Sequence, residues 1–483
     1  MKRIILFLLT IFILSIKFVY AGFEKTFGGT NADEGYSVQQ TIDGGYIIVG
    51  STFSFGSGGA DVYLIKTDPK GNIIWTKTFG GTGEDRGYSV QKTSDGGYII
   101  VGSTSSYSNG IYLIKTDSSG NKNWTKIYGA PYDIGYSVQQ TLDGGYVITG
   151  VTYSYDTYGD VYLIKVDSNG NTNWTKTFGL MGSTDDGRGV QQTLDGGYII
   201  VGFTTSFGSG GDVYVIKTDP NGNLIWQTNF GGYFSDIAYS IQKTKDGGYI
   251  IVGRTEEQPS DNSDIFLTKT GPYGEIIWTK ILTGVNNEEG KSVQQTIDGG
   301  YIIAGTIYYS GANPNEDVYL VKVDFNGNII WTKTFGGTGY DFAESIQQTS
   351  DGGYIIVGST TSFGGGYDSD VYLIKVDPEG EDVSKVIKKA EDLHLIGSSE
   401  KEYRGTYVPE EGKPLTLTLN GVSSGKLSFK IFTLTGEQIF DKEISCENGE
   451  FKLDVPKDIA AGVYIIKVDG PKFSFTKKIA VLK

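Results

Sequence analysis

The sequence predicts an all-β protein: a seven-bladed β-propeller closed by its own N-terminal strand, followed by a small C-terminal β domain. Three observations carry this reading. A unit of about 50 residues recurs seven times, helical periodicity is absent from it, and the strand missing from the last unit stands at the start of the chain.

The repeat is marked by Asp-Gly-Gly-Tyr, which begins at Asp43, Asp95, Asp143, Asp195, Asp246, Asp298 and Asp351, with spacings of 48 to 53 residues. Around each copy lie a Ser-Val-Gln-Gln-Thr-like segment, the Asp-Gly-Gly turn, a Tyr-Ile-Ile-Val-Gly run, a variable loop, and an Asp-Val-Tyr-Leu-Ile-Lys run. A Gly-Asn turn and Ile-Ile-Trp-Thr-Lys-Thr-Phe-Gly-Gly complete the unit. Four short β-branched and aromatic runs separated by turn residues make one four-stranded blade.

Closure is legible too. The six tryptophans, Trp75, Trp124, Trp174, Trp226, Trp278 and Trp331, each sit in the fourth run of a unit, and the seventh unit ends at Lys375 without one. Phe23-Glu24-Lys25-Thr26-Phe27-Gly28-Gly29 matches the segment from Trp331 to Gly337, with Phe23 in the tryptophan position. The N-terminal segment therefore supplies the outer strand of the last blade and removes an open edge. The repeated Gln column (Gln39, Gln91 and their equivalents) and the repeated Lys column (Lys66, Lys115 and theirs) read as interblade hydrogen bonds or as stems packed over aromatic rings. Gly50 and its six equivalents mark a close approach that a side chain would block.

Lys2 and Arg3 precede an apolar run from Ile4 to Ile16, and Val19-Tyr20-Ala21 offers a cleavage site. Residues 1–21 thus read as a secretory signal peptide, with no transmembrane segment in the mature chain. The propeller spans 22–382, a charged linker 383–409 with room for one short helix, and the C-terminal β domain 410–483. An exported chain whose one cysteine is Cys446 forms no internal disulfide, so packing and repetition must hold it together. The net charge of −15 argues against nucleic acid and anionic membrane surfaces, which select basic patches.

Two resemblances add to this. Gly71 to Trp75, Gly170 to Trp174 and Gly222 to Trp226 share a Gly-x-x-x-Trp spacing that resembles the tryptophan-docking motif of quinoprotein-like propellers, in which the Trp packs between blades. The Thr-Gly and Ala of that motif are missing, so the resemblance implies blade packing and not quinone binding. The repeat as a whole is similar to the uncharacterised propeller repeats of secreted bacterial proteins. At the other end, Ala461-Gly462-Val463-Tyr464 and the closing Lys477-Lys478-Ile479-Ala480-Val481 resemble the type IX secretion C-terminal sorting domain. That resemblance implies an immunoglobulin-like β-sandwich over residues 410–483, contact with the secretion machinery, and a secreted or cell-surface destination.

For chemistry, one acidic column recurs ahead of the inner strands: Asp33, Asp85, Asp133, Asp185, Asp236, Glu288 and Asp341. Two readings are open. Asp before a tight turn caps it through its own backbone; seven carboxylates converging on a channel mouth would hold a cation such as calcium, with Glu34, Glu84, Asp186 and Glu289 strengthening the field. The single histidine, His394, lies in the linker, so the propeller holds no Ser-His or Cys-His pair and no His-ligated metal. A carboxylate pair could cleave glycosidic bonds, but such a pair should break the seven-fold pattern. The variable loops, such as 255–263 and 307–316, break it most visibly, and Tyr153, Tyr155, Tyr158, Tyr308 and Tyr309 are the candidates there for stacking on a sugar. The functional readings are a non-catalytic binding or adhesion module for an extracellular polysaccharide or surface protein, a carboxylate-dependent polysaccharide-degrading enzyme, and a display scaffold for protein partners.

Overall fold

A computed structural model describes residues 22–381 except 155–157, 209, 257–262, 283, 285, 310–314 and 365–367, and beyond them strands alone between 394 and 481. The leader expected over residues 1–21 lies outside the described residues. Every regular element among the described residues is a strand. The chain divides into two compact units, one of them Gly22–Asp382.

That unit is a seven-bladed β-propeller. Six blades are consecutive four-stranded antiparallel meanders, over residues 33–79, 85–128, 134–178, 185–230, 237–282 and 287–335. The seventh takes three strands from 341–376 and its outermost strand, Phe23–Phe27, from the start of the chain. Phe23 lies opposite Lys375 and Phe27 opposite Val371 in that antiparallel pair. The second and third strands of a blade are buried on both faces (Tyr46–Thr52 and Asp61–Thr67 at every position), which explains their continuous β-branched runs.

Packing between blades runs through aromatic side chains. The Trp75 ring meets Tyr98 of the next blade at 6.4 Å, and Trp174 meets Tyr198 at 5.7 Å. Phe23 takes the same place at the seam, edge-on to Tyr46 at 6.1 Å. Gly120 lies under Trp75 with φ +77°, and a Cβ there would stand 2.6 Å from the indole, so both conformation and space demand glycine. The Gln column clasps neighbouring blades: Gln39 accepts from the Lys92 N–H at 2.9 Å, and Gln91 from that of Gln140 at 2.5 Å. At the seam Gln347 accepts from the N–H of Gln40.

The Lys column does something else than expected. All seven ammonium groups pair within their own blade with the Asp of the Asp-Gly-Gly turn, at 2.8 to 3.1 Å. Lys66 also donates to the Thr67 carbonyl at 2.8 Å. With the lysines only 2–6% exposed, an ammonium group lacking such partners would be strongly destabilising. This staple ties the turn at one end of the second strand to the third strand.

The inner strand of every blade carries a bulge. In the first blade Gly35 pairs with Gly50 and Ser37 with Val49, so Tyr36 has no cross-strand partner. The same break recurs in all six other blades. Gly50 makes the bulge possible: a Cβ there would lie 1.7 Å from the Glu34 carbonyl oxygen.

In the second unit, Gln438–Cys446, Gly425–Thr433, Gly462–Gly470 and Phe473–Val481 form a four-stranded antiparallel sheet in that order, and Thr416–Asn420 pairs with Glu450–Asp454. Within the stretch read as a linker, His394–Ile396 and Glu402–Arg404 pair as a short antiparallel ladder, while 382–393 lie outside the described residues.

Candidate functional site

A bulge re-aims one side chain, and here it does so seven times around the axis. The bulged residues are Tyr36, Tyr88, Tyr136, Arg188, Tyr239, Lys291 and Glu344, and all seven line a central cavity of about 500 Å³. The remaining lining comes from three further positions of each inner strand, down to the Gln column. Four bulged positions are tyrosine and three are charged, so this column breaks the symmetry of the repeat where the chain meets the channel.

The column forms a belt of contacts. Tyr36 and Tyr88 are 5.1 Å apart between ring centres, and Tyr88 and Tyr136 are 5.7 Å apart. The Arg188 guanidinium then lies 4.8 Å over Tyr136 and 5.6 Å over Tyr239, and the Lys291 ammonium 4.0 Å over Tyr239. Each contact of this kind contributes on the order of 0.5–2 kcal/mol, the larger figure where water is excluded. Alternation along the strand places a second charged set nearby: Glu34, Arg86, Asp186 and Glu289. Asp186 accepts from Arg188 at 2.7 Å, Glu289 pairs with Lys291 at 3.0 Å, and Arg86 with Glu34 at 3.2 Å. The Tyr36 hydroxyl donates to Glu34, and burial together with that carboxylate pushes the phenol well above its usual range.

Glu344 differs from the other acids. None of the hydrogen bonds of the described residues reaches it. Burial in the channel pushes its carboxyl up to about 7, against the pull of Lys291 and with the help of Glu289 and Glu34. Its side chain lines the cavity. Glu316 is also raised, by burial and by Glu289. Tyr308 donates to Glu289 at 3.3 Å.

The expected acidic column lies elsewhere. Asp33, Asp85, Asp185 and Asp341 open inner strands, all seven members are at most 3% exposed, and none lines the channel. Asp33 accepts from the Gly29 N–H at 2.8 Å and the Ser54 hydroxyl at 2.7 Å. Asp133 accepts from the Ala130 N–H and Thr152 hydroxyl, both at 2.8 Å, Asp236 from the Gly232 N–H at 2.6 Å, and Asp341 from the Gly337 N–H at 2.8 Å. Asp85 and Asp185 take hydroxyls from Ser106 and Ser206. Each side chain thus organises its own interblade loop. An acid near the start of the third strand of the preceding blade approaches two of them: burial and Asp341 push Asp317 up to about 6, and burial and Asp264 push Glu288 up to about 7. Among the described residues, no three His, Cys, Asp or Glu side chains are grouped to hold a metal ion.

Of the candidate tyrosines, Tyr308 reaches Glu289. Tyr153 stands within electrostatic reach of Asp186 and Arg188, Tyr158 is 55% exposed, Tyr309 is half-buried, and Tyr155 lies outside the described residues. Sequence reading missed Arg188, Lys291 and Glu344. The signal was present: the residue after Gly35, Gly87, Gly135, Gly187, Ala238, Gly290 and Ala343 is the inward position whose chemistry changes from unit to unit.

Fold and channel together define an all-β propeller with a polar axial cavity. Residues 411–482 match the family described as the secretion system C-terminal sorting domain, and such a tail implies export to a secreted or surface location. No curated protein matches the chain in sequence. Among solved structures, a lectin from Burkholderia pseudomallei is similar at 8% identity and TM-score 0.47, covering 73% of this chain and 98% of its own. An ulvan lyase from a polysaccharide lyase family is similar at 11% identity and TM-score 0.45, covering 74% of this chain and 97% of its own. Sqt1 from Chaetomium thermophilum is similar at 11% identity and TM-score 0.42, covering 81% and 97%. Likeness at this level carries nothing about the ligand. No helix among the described residues is long and apolar enough to cross a membrane.

Proposed function

We propose that the protein is an exported, non-catalytic binding propeller that holds an extracellular polysaccharide at its channel. The observation that carries this is the bulged column: three charged side chains replace tyrosine at the inward position whose chemistry varies most from blade to blade. A repeated position serves the repeated interblade contact, whereas a ligand without seven-fold symmetry requires positions that differ. Tyrosine faces edged by hydrogen-bonding charges suit a polyhydroxylated ring, whose apolar face stacks while its hydroxyls bond. The sorting tail delivers such a module to where polysaccharide is found, and residues 410–483 are its contact with the secretion machinery. Glycoside cleavage is the second reading, favoured by Glu344, whose carboxyl near 7 is poised for general acid work.

The test is a polysaccharide and glycan array probed with the full chain, with calcium and then with a chelator, alongside an assay for new reducing ends. Binding without new ends supports the proposal, and new ends move the assignment to the enzyme. Absence of binding in every condition overturns it in favour of a scaffold for protein partners. Loss of binding in chelator would bring calcium into the site.

A further inference from the structure

The channel belt alternates aromatic faces with cations over one part of its circumference and stops doing so over the rest. Arg188 sits between Tyr136 and Tyr239, and Lys291 covers Tyr239 from the other side. Beyond Lys291 the next bulged residue is Glu344, and after it, across the seam between the last blade and the first, comes Tyr36. Tyr36 and Tyr88 stack on each other at 5.1 Å, and the cation within their reach is Arg86, which Glu34 engages. The belt therefore changes character at the seam, where Glu344, a channel-lining acid that none of the hydrogen bonds of the described residues reaches, stands at the bulged position next to Tyr36.

Charge in this sector points the same way. Lys291 is shared by Glu289, at 3.0 Å, and by Glu344, and Glu316 adds a third carboxyl close to Glu289. Glu34, which also acts on Glu344 from the first blade, is engaged by Arg86 at 3.2 Å, and Arg188 by Asp186 at 2.7 Å. Two carboxyls share one ammonium group, with Glu316 close to one of them, and this leaves the sector short of positive charge. A cation placed in the cavity there would meet the Glu344 carboxylate, a charge-assisted contact that strengthens once water is excluded.

Resting on the polysaccharide-binding reading above, we infer that the glycan carries a free amine, and that Glu344 receives that ammonium group in the channel. An amino sugar in its N-acetylated form offers the same ring and hydroxyls without the charge, so it makes the stacking contacts and leaves Glu344 unpaired. Protonation of Glu344 sets the pH response, because Lys291, Glu289, Glu34 and Arg188 are the charged groups that face it. A bound cation draws its carboxyl down and ionises it.

Titration calorimetry of the full chain with chitosan oligosaccharides, against fully N-acetylated oligomers of the same length, tests this. Near neutral pH the free-amine form should bind roughly tenfold more tightly, and E344Q should bring the ratio close to one. The ratio in the unsubstituted protein needs no variant, and thermal unfolding of E344Q reports whether its fold survives. Equal affinity for the two forms overturns the inference while leaving polysaccharide binding in place. So does a tenfold preference that persists in a folded E344Q protein. Failure of every glycan on the array removes the broader reading, and this one with it.

Discussion

The ring closes through Phe23, and truncating that side chain should open it. Phe23 is 8% exposed and packs with Phe27, Tyr46, Ile48, Tyr63, Leu373 and others in the core between the last blade and the first. Its strand is joined to the last blade by five facing pairs, from Phe23 opposite Lys375 to Phe27 opposite Val371. Removing a buried phenylalanine side chain costs about 3–5 kcal/mol. The edge-to-face contact with Tyr46 at 6.1 Å is part of that loss, about 1 kcal/mol of it. Because Phe23 begins its strand, the low end applies, and Phe23→Ala should destabilise by about 3 kcal/mol. Phe23→Trp installs the side chain found at six equivalent positions and should stay within about 1 kcal/mol of the parent. Urea unfolding gives the global value. Amide exchange at Val371 to Lys375 shows whether the latch strand releases before the rest. A Phe23→Ala change below about 0.5 kcal/mol, with unaltered exchange in that strand, would refute the idea that this side chain holds the seam.

Other outcomes follow from the same structure. Gly50→Ala should fail to fold or unfold far more readily, because its Cβ would meet the Glu34 carbonyl oxygen at 1.7 Å and backbone cannot step aside as a side chain can; near-parent stability in urea would contradict the bulge geometry. Glu288 is raised from 4.5 to about 7 and Asp317 from 3.8 to about 6. A carboxyl raised on folding adds stability that is complete below its unfolded pKa and lost as pH climbs through the folded one, so urea midpoints should fall between about pH 4 and 7. Glu288→Gln should flatten part of that slope, at most about 3 kcal/mol for its own share. At the acid end the sign reverses: burial pushes Asp95 up, but Lys115, Thr93 and the Gly97 N–H outweigh it and hold the group at about 2, so this staple weakens as pH drops from 4 toward 2. Removing residues 411–482 should keep the propeller out of the surface and culture-supernatant fractions of its host, and undiminished export would argue against the tail as the sorting signal.

The blades, their number and the closing strand were all readable because each rests on something repeated. Six tryptophans and one phenylalanine in a common frame can be aligned by eye, and the strand that the last unit lacked matched only one segment. The Lys column was misassigned for a plain reason: its partner is the Asp of the same unit, 20 to 24 residues earlier, and sequence spacing does not show that the two ends of a hairpin meet. The acidic column was visible, but its direction was not. In a strand successive side chains point to opposite faces, so a shift of one residue decides whether Asp33 or Glu34 looks toward the axis. The burial pattern shows Asp33 on the covered face and Glu34 on the other.

The bulge deepens that difficulty and also explains where individuality is kept. Between Gly35 and Ser37 the alternation slips by one, so Tyr36 joins the channel without disturbing the paired residues on either side. A side chain with no cross-strand partner can change from tyrosine to arginine, lysine or glutamate at little cost to the sheet, whereas its paired neighbours remain glycine, serine or valine-like in nearly every blade. The glycines opposite, Gly50 and its equivalents, hold the slip in place whatever the bulged residue is. Repetition thus secures the frame, and the unpaired position leaves seven independent choices facing one cavity. Glu344 occupies one of them, lines the cavity without a hydrogen bond among the described residues, and is the side chain that the proposed ammonium group would meet.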